Sequence, residues 1–222
     1  MPAIVFDLDD TLYPERDFVF SAYRAVADAF ARPLHVPFDL LQRMQELFDT
    51  PDRGRVFNVI LAQAGVTGPR ADALLADMIA TYRTHEPRIR LHPDADHALT
   101  RFRAGHRLGL ISDGPLEMQK NKVGALGLPD RLDEIILTDQ WGREFWKPHP
   151  RAFEEMSQRL GLPPDQCAYV ADNPAKDFVA PASLGWRTVC IRRPGGIYAD
   201  QKPARGTRID QVIESLNVLV SR

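Results

Sequence analysis

The stretch Ala3–Pro14, with the sequence AIVFDLDDTLYP, joins a short apolar run to a cluster of carboxylates. The run Ala3–Phe6 is typical of a buried strand in a parallel sheet, because strands covered on both faces are apolar throughout. It is followed directly by Asp7, Asp9 and Asp10. Adjacent carboxylates repel one another and resist burial, so a cluster at a strand end usually serves a cation or catalysis. The alternative is that one aspartate caps a following helix and the others are solvated.

The composition is that of an ordinary globular protein. Of the 222 residues, 44% are hydrophobic and 26% are charged, and the formal net charge is −2. This balance does not predict binding to a nucleic acid polymer or to an anionic membrane surface. We see no secretory signal and no apolar run long enough to span a bilayer, so the sequence predicts a cytoplasmic location. Cys167 and Cys190 lack CxxC spacing and are predicted to pack in buried strands.

Residues 15–90 carry helical periodicity, and we predict an all-helical insertion there. Apolar residues recur at three- and four-residue spacing, and no alternating strand pattern lies between the helical segments. Proline and glycine separate these segments, and Pro33 is expected to end the first. The predicted helices are Asp17–Arg32, Phe38–Phe48, Arg55–Ala64 and Arg70–Thr84. Residues 1–14 and 91–222 then form the other domain.

From residue 91 onward, predicted strands and helices alternate, which indicates an α/β fold with a parallel sheet and helices on both faces. We predict a five-stranded sheet with strands at Ile4–Phe6, Leu108–Ile111, Glu134–Leu137, Ala168–Ala171 and Thr188–Ile191. Helices are predicted at Ala95–Ala104, Pro115–Leu126, Pro150–Leu160, Pro174–Leu184 and Ile209–Val220. The segment Arg192–Gly206 is predicted to be a loop because it is rich in arginine, proline and glycine.

The residues that follow the predicted strands are the candidates for chemistry, because such folds bind ligands at the carboxyl ends of their strands. These residues, together with a lysine that opens the turn before a helix, are Asp7, Asp9, Ser112, Asp113, Gly114, Lys147, Asp172, Asn173 and Asp177. The set suits phosphoryl transfer. A phosphate monoester is a dianion that repels a carboxylate nucleophile, and a lysine with Mg²⁺ neutralises its oxygens.

Individual roles follow from this chemistry. Asp7 is predicted to be the nucleophile and to form an aspartyl-phosphate. Asp9 is predicted to protonate the leaving alcohol and then to deprotonate the attacking water. Ser112 and nearby backbone N–H groups are predicted to hydrogen-bond the phosphoryl oxygens. Asp172 is predicted to complete the metal site with Asp7.

Four segments resemble the motifs of the haloacid dehalogenase (HAD) superfamily in their order and spacing. They are DLDDT at Asp7–Thr11, ISDG at Ile111–Gly114, KP at Lys147 and Pro148, and ADNPAKD at Ala171–Asp177. The resemblance implies a Rossmann-like core, dependence on Mg²⁺ and the aspartyl-phosphate route. It also implies that the helical insertion is a small cap domain.

The resemblance further implies roles for single residues. Lys147 is expected to anchor the nucleophile and the phosphoryl group, and Asp9 to offer its backbone carbonyl to the metal. Asp177 is expected to be an outer-shell partner of the metal. Asp113 and Gly114 are expected to bind the substrate, although Asp113 stands where asparagine is frequent in the superfamily.

The sequence also favours one reaction among those of the superfamily. The wording DLDDTLYP resembles the pyrimidine 5'-nucleotidase-like phosphatases, so we expect a Mg²⁺-dependent phosphatase of a nucleoside monophosphate, a sugar phosphate or a similar small metabolite. Asp9 favours phosphate chemistry, because a halide departs without a proton. A phosphomutase, a haloacid dehalogenase and a non-catalytic descendant that binds a phosphorylated ligand are the alternatives.

Three other groups of residues have two interpretations each. Trp141, Phe145 and Trp146 either line a pocket or pack against the core, and packing is favoured because large aromatic side chains are mostly buried. Arg192 and Arg193 either bind a second anionic group or are solvated. Cap residues that either contact a leaving group or are buried between helices are Phe18, Tyr23, Arg55 and Phe57.

Overall fold

A computed structural model describes residues 2–198 and 200–219, which fall into two compact units. The first unit comprises residues 1–15 and 89–222, and the second comprises residues 16–88. The sequence placed the insertion at residues 15–90. Within the described ranges, no helix combines the length and the apolar character needed to cross a bilayer.

The second unit consists of helices joined by short turns and loops. The helices are α1 (Glu15–Leu34), α2 (Leu40–Phe48), α3 (Val56–Gln63) and α4 (Pro69–Thr84), and the first residue of α1, Glu15, still belongs to the first unit. The expectation that Pro33 ends the first helix was wrong, since α1 includes it. The helix ends where His35 adopts a φ of 48°, outside the right-handed helical region.

Aromatic rings form the interior of the second unit. Phe18 and Tyr23 are buried, and their ring centroids lie 5.6 Å and 6.2 Å from that of Tyr82. Phe57 packs edge-on against the same tyrosine at 5.9 Å. Arg55 is exposed and pairs with a neighbouring aspartate. Of the two interpretations, burial between helices therefore holds for Phe18 and Tyr23.

The first unit contains a parallel sheet in which the described strands run in the order β3-β2-β1-β4-β5-β6. They are β1 (Ala3–Phe6), β2 (Arg107–Ser112), β3 (Glu134–Leu137), β4 (Cys167–Ala171), β5 (Arg187–Ile191) and β6 (Gln211–Ile213). Phe6 of β1 lies opposite Leu110 of β2 and Val170 of β4. The strand order reverses beside β1, and parallel α/β sheets bind ligands at the carboxyl edge next to such a reversal.

The first unit also contains four helices, which are α5 (Pro93–Phe102), α6 (Leu116–Ala125), α7 (Arg151–Leu160) and α8 (Val179–Leu184). Phe153 of α7 packs edge-on against Tyr169 and Trp186, with ring centroids at 4.9 Å and 5.6 Å. Gly109 lets α7 lie close to the sheet, because a Cβ atom there would be 2.9 Å from Sδ of Met156. Cys167 and Cys190 are buried and unbridged, as predicted.

The chain after β5 differs from the prediction. The predicted helix Ile209–Val220 was wrong over its described residues, which form β6 and a 3₁₀ turn at Leu216–Val218, whereas Val220 lies outside them. The described sheet therefore has six strands rather than five. Ile213 pairs with Ile191 of β5 and is buried there. This pairing at a sheet edge is a long-range contact that local apolar spacing does not reveal.

Candidate active site

The polar residues predicted at the strand ends gather at the carboxyl edge of the sheet. The N–H group of Asp7 donates to the carbonyl of Val170 in β4 at 2.8 Å, which fixes the start of the loop after β1. A cavity of about 250 Å³ lies at this edge, and the predicted site residues that line it are Asp7, Asp9, Asp113, Gly114, Lys147, Asp172, Asn173 and Asp177. Ser112, the last residue of β2, is only 1% exposed and is not among these lining residues.

Lys147 is surrounded by oxygen atoms. Its ammonium donates to the carboxylate of Asp7 and lies 2.9 Å from Oδ1 of Asp177. It also donates to the hydroxyl of Tyr169 at 3.0 Å, and that hydroxyl donates to the carbonyl of Ile111. Burial lowers the pKa of Lys147, but the charges of Asp177 and Asp7 outweigh it and raise that pKa well above its usual value. Lys147 is therefore a fixed positive charge beside Asp7.

Three buried carboxylates form a cluster next to this lysine. Asp7, Asp172 and Asp177 each offer one oxygen within 4.8 Å of the others. Burial, partly offset by the charge of Lys147, raises the pKa of Asp7 to about 7. Burial and the charges of Asp7 and Asp177 raise the pKa of Asp172 well above its usual value. A bound cation would relieve this repulsion, and the all-oxygen donor set fits Mg²⁺.

The cluster overlaps with the predicted metal ligands. It shares Asp7 and Asp172 with them and adds Asp177, which the sequence placed in the outer shell. The side chain of Asp9 is not part of the cluster, and the family resemblance implies a backbone carbonyl from this residue instead. The fit of the donor set therefore rests on the three carboxylates.

A turn holds Asp177 in place. The N–H group of Asn173 donates to Oδ2 of Asp177 at 3.0 Å, and the N–H group of Ala175 donates to Oδ1 of Asn173 at 3.1 Å. Such bonds from side chains to the backbone compete with helix formation. Helix α8 consequently begins at Val179, whereas the sequence predicted a helix from Pro174.

The carboxylate of Asp9 accepts hydrogen bonds on both of its oxygens. Lys122 lies 2.7 Å from Oδ1, and the hydroxyl of Tyr13 donates to the same atom. Nε2 of Gln119 donates to Oδ2 at 3.1 Å. Burial raises the pKa of Asp9, but the charge and hydrogen bond of Lys122 outweigh it, so the pKa is lowered. In this arrangement Asp9 is a carboxylate at neutral pH.

Sequence reasoning missed Lys122 and Gln119. Both lie on the buried face of α6, which they share with Val123. The local pattern carried little signal, because the buried residues of α6 are Gln119, Lys122 and Val123, so polar and apolar side chains share one face. The burial of Lys122 and its pairing with Asp9 were therefore not visible in the sequence around it.

The side chain of Asp113 is bound by the protein itself. Oδ1 accepts from the hydroxyl of Thr138 at 2.8 Å and from the N–H group of Lys147 at 3.1 Å. Oδ2 pairs with Lys176 at 2.9 Å. Burial raises the pKa of Asp113, but the charges of Lys147 and Lys176 outweigh it and lower that pKa. Lys176, which the sequence analysis did not single out, thus balances the aspartate found where asparagine is frequent.

The aromatic residues before Lys147 divide between the two interpretations. Trp141 packs against the buried core. Trp146 lines the cavity, and its indole Nε1 donates to Oδ1 of Asp139 at 3.0 Å. The expectation of core packing was therefore wrong for Trp146. The hydrogen bond to Asp139 fixes the indole plane at the cavity wall.

The predicted loop Arg192–Gly206 reaches the site, because Tyr198 lines the cavity. Arg193 anchors the start of this loop. Its guanidinium donates to the carbonyl of Thr11 at 2.8 Å and pairs with Asp94 at 3.1 Å. Arg193 is therefore neither solvated nor directed at an anionic ligand, and both earlier interpretations were wrong for it.

Comparisons with known proteins agree with this geometry. Residues 1–185 match the family described as haloacid dehalogenase-like hydrolase. A glyceraldehyde 3-phosphate phosphatase of Methanopyrus kandleri is 30% identical over 208 residues, which cover 90% of this chain and 87% of that protein.

Two solved structures share the fold. A HAD phosphatase from Thermococcus onnurineus is 24% identical, has a TM-score of 0.61 and covers 98% of this chain and 95% of its own. A 2-haloacid dehalogenase from Pseudomonas syringae is also 24% identical, with a TM-score of 0.63 and coverage of 97% and 95%. Because proteins of both names have this fold, the fold alone does not select between phosphate and halide chemistry.

Proposed function

The chain belongs to the haloacid dehalogenase-like hydrolase family, and we propose that it is a Mg²⁺-dependent phosphatase that hydrolyses a small phosphorylated metabolite through an aspartyl-phosphate on Asp7. One observation carries the proposal: Asp9 lines the same cavity as Asp7. An alcohol leaving group must be protonated, whereas a halide departs as the anion. A carboxyl group two residues after the nucleophile therefore favours phosphate esters. The name of the relative from Methanopyrus kandleri supports the same class.

In the first step a carboxylate oxygen of Asp7 attacks phosphorus, and the bond from phosphorus to the ester oxygen breaks. Lys147, in contact with Asp7, offsets the repulsion between this carboxylate and the incoming phosphate. Asp7, Asp172 and the backbone carbonyl of Asp9 are proposed to hold Mg²⁺. When bound, Mg²⁺ supplies further positive charge to the phosphoryl oxygens.

In the second step Asp9 takes a proton from water, which attacks phosphorus and releases Asp7. The carboxylate form of Asp9, favoured by Lys122, suits this role. In the first step Asp9 must instead give a proton to the leaving alkoxide. Asp9 must therefore be protonated before that step, and we propose that the monoanion of the phosphate ester passes its proton from a phosphoryl oxygen to the Asp9 carboxylate as it binds. Ser112 accepts a hydrogen bond from Gln119 at 2.7 Å, so its own O–H is directed elsewhere, and we propose a phosphoryl oxygen as its acceptor.

The cavity of about 250 Å³ suits a leaving group of few atoms. Its described lining includes the indole of Trp146 and the side chain of Met118 beside the charged residues. We propose that the substrates are short phosphorylated metabolites. Nucleoside monophosphates and sugar phosphates are the larger candidates, and their rates of hydrolysis are to be compared with those of the short esters. The cytoplasmic location stays a prediction.

The direct test is phosphate release from a panel of esters in the presence of Mg²⁺. The panel contains three-carbon phosphates, phosphoserine, sugar phosphates and nucleoside monophosphates. The wild-type protein should release inorganic phosphate, and Asp7→Asn should not, because an amide of nearly the same shape is a poor nucleophile. Asp165→Asn is the matched control, since Asp165 is exposed and precedes the amino end of β4, away from the site.

Asp9→Asn separates the reactions of the family. It should slow an alkyl phosphate about 10²- to 10⁴-fold more than an aryl phosphate, whose phenolate leaves without a proton. With the aryl ester, a burst of phenolate followed by slow turnover should accompany a phosphorylated Asp7, visible by mass spectrometry. Halide release from a 2-haloacid without phosphate release from any ester would replace the proposal by a dehalogenase. Transfer of the phosphoryl group to a second hydroxyl, without free phosphate, would replace it by a mutase.

A further inference from the structure

We propose that Lys122 is a positioning residue for the carboxyl group of Asp9, a role that rests on the proposed phosphatase function. Nζ of Lys122 lies 2.7 Å from Oδ1 of Asp9, and the lysine side chain is only 2% exposed. The two residues are 113 positions apart in the chain, so the ion pair joins α6 to the loop after β1. Both residues line the cavity.

Gln119 also binds the Asp9 carboxylate, from the same face of α6 as Lys122. It lies three residues before Lys122, so the two side chains project from one side of the helix. Nε2 of Gln119 is 3.1 Å from Oδ2 of Asp9 and 2.7 Å from Oγ of Ser112. Each oxygen of the Asp9 carboxylate therefore has a donor from α6, and this pair of contacts fixes both the place and the plane of the group.

Packing alone does not explain a lysine at position 122. The buried face of α6 also carries Val123, and Leu126 follows it. Methionine or leucine would fill the same space without the unfavourable desolvation of an ammonium group. The ion pair with Asp9 compensates the desolvation of the lysine ammonium. We infer that the lysine is there to bind the Asp9 carboxylate and not to pack the core.

Position matters for Asp9 because proton transfer needs a carboxyl oxygen within about 2.6–3.2 Å of the leaving oxygen. An aspartate at the start of a loop has several staggered rotamers. The ammonium of Lys122 and the amide of Gln119, together with the hydroxyl of Tyr13, select one of them. Without the ammonium, Asp9 would spend less time in the orientation that serves the leaving group.

The test compares Lys122→Met and Lys122→Arg with Lys120→Met, using purified full-length protein. Lys120 is the matched control, since it lies on the same helix, is 53% exposed and pairs with Glu117 on the surface. For an alkyl phosphate, Lys122→Met should lower kcat about 10- to 100-fold while KM stays within about threefold. For an aryl phosphate the loss should be much smaller. Lys122→Arg, which keeps the cation, should restore most of kcat, and Lys120→Met should match the wild type.

A double mutant links the effect to Asp9. Asp9→Asn combined with Lys122→Met should be no slower than Asp9→Asn alone, because the group that Lys122 positions is then already lost. If the methionine variant fails to fold by circular dichroism, the same comparison is made with Lys122→Gln and Lys122→Arg. Equal losses for alkyl and aryl esters, additive losses in the double mutant, or a rise in KM alone would overturn the inference. Absence of any ester hydrolysis by the wild type would overturn the proposed function as well.

Discussion

The ammonium of Lys147 lies 2.9 Å from Oδ1 of Asp177, and the two side chains are 1% and 0% exposed. The turn after β4 fixes Asp177, because the N–H group of Asn173 donates to its other carboxylate oxygen. The same ammonium contacts Asp7. The turn at residues 172–177 therefore determines where the positive charge lies relative to the proposed nucleophile.

This ion pair predicts the effect of Asp177→Asn. Loss of one partner of a buried pair leaves charge without compensation, and we expect the free energy of unfolding to fall by about 3 kcal/mol. We also expect kcat to fall, since Lys147 would no longer be held beside Asp7. Urea denaturation and phosphate release measure the two effects. An unchanged unfolding free energy, with Asp165→Asn as the control, would show that Asp177 is dispensable for holding Lys147.

The carboxylate cluster predicts stabilisation by Mg²⁺ that is measurable without substrate. A cation that binds the folded state at 100 times its Kd adds about 2.7 kcal/mol of stability. We expect Mg²⁺ to raise Tm and a chelator to reverse the rise and to abolish phosphate release. Asp172→Asn should remove most of the thermal shift. Sodium chloride at matched ionic strength is the control, and an equal shift with that salt would argue against a specific site.

The backbone at Gly114 predicts that Gly114→Ala is harmful. Gly114 has a φ of 134°, which side chains rarely adopt, and a Cβ atom there would lie 3.1 Å from Cδ of Gln119. We expect a loss of about 1–3 kcal/mol in unfolding free energy and a lower kcat, because Gln119 would be displaced from Asp9.

Gly124→Ala is the matched control for this change and should have the opposite sign. Gly124 lies in α6, and a Cβ atom there would meet nothing within 4 Å. Alanine inside a helix is favoured over glycine by about 0.5–1 kcal/mol. Denaturant titrations of both variants measure these changes in the free energy of unfolding. Equal stability of Gly114→Ala and the wild type would contradict the argument from the backbone conformation of Gly114.

The Asp94 network predicts a pH-dependent contribution to stability. Burial raises the pKa of Asp94, but bonds from Arg193 and Ser215 and the N–H group of Leu216 outweigh it and lower that pKa from 3.8 to about 2. Because the folded pKa is below the unfolded value, the stabilisation is present above about pH 4 and is lost as pH falls toward 2. The carboxylate is partly solvated, so about 1–2 kcal/mol is expected.

Asp94→Asn tests this directly. At pH 7 the variant should be less stable than the wild type, and the pH-dependent part of the difference should shrink between pH 5 and pH 3. Urea denaturation at pH 7, 5, 4 and 3 gives the comparison. Asp130→Asn, at an exposed position, is the control. A difference that stays constant over this range would show that the charge of Asp94 does not contribute.

Much of the site was predictable because its signals are local. An apolar run followed by polar residues marks the end of a buried strand, and parallel strands bring their carboxyl ends to one edge. This is why Asp7 and Asp172 were found from their positions after predicted strands, and Lys147 from its position before a predicted helix, and all three line one cavity. The family resemblance rests on the same local motifs.

The remaining features depended on contacts between distant parts of the chain. Lys122 pairs with Asp9 across 113 residues, and Arg193 pairs with Asp94 across 99. Strand β6 forms by pairing with the edge of β5, although the apolar spacing from Ile209 onward predicted a helix. A lysine on a helix has the same local pattern whether it is solvated or buried. Its partner is determined only when the sheet brings α6 beside the loop after β1, so tertiary structure alone decided that Lys122 and Gln119 bind Asp9.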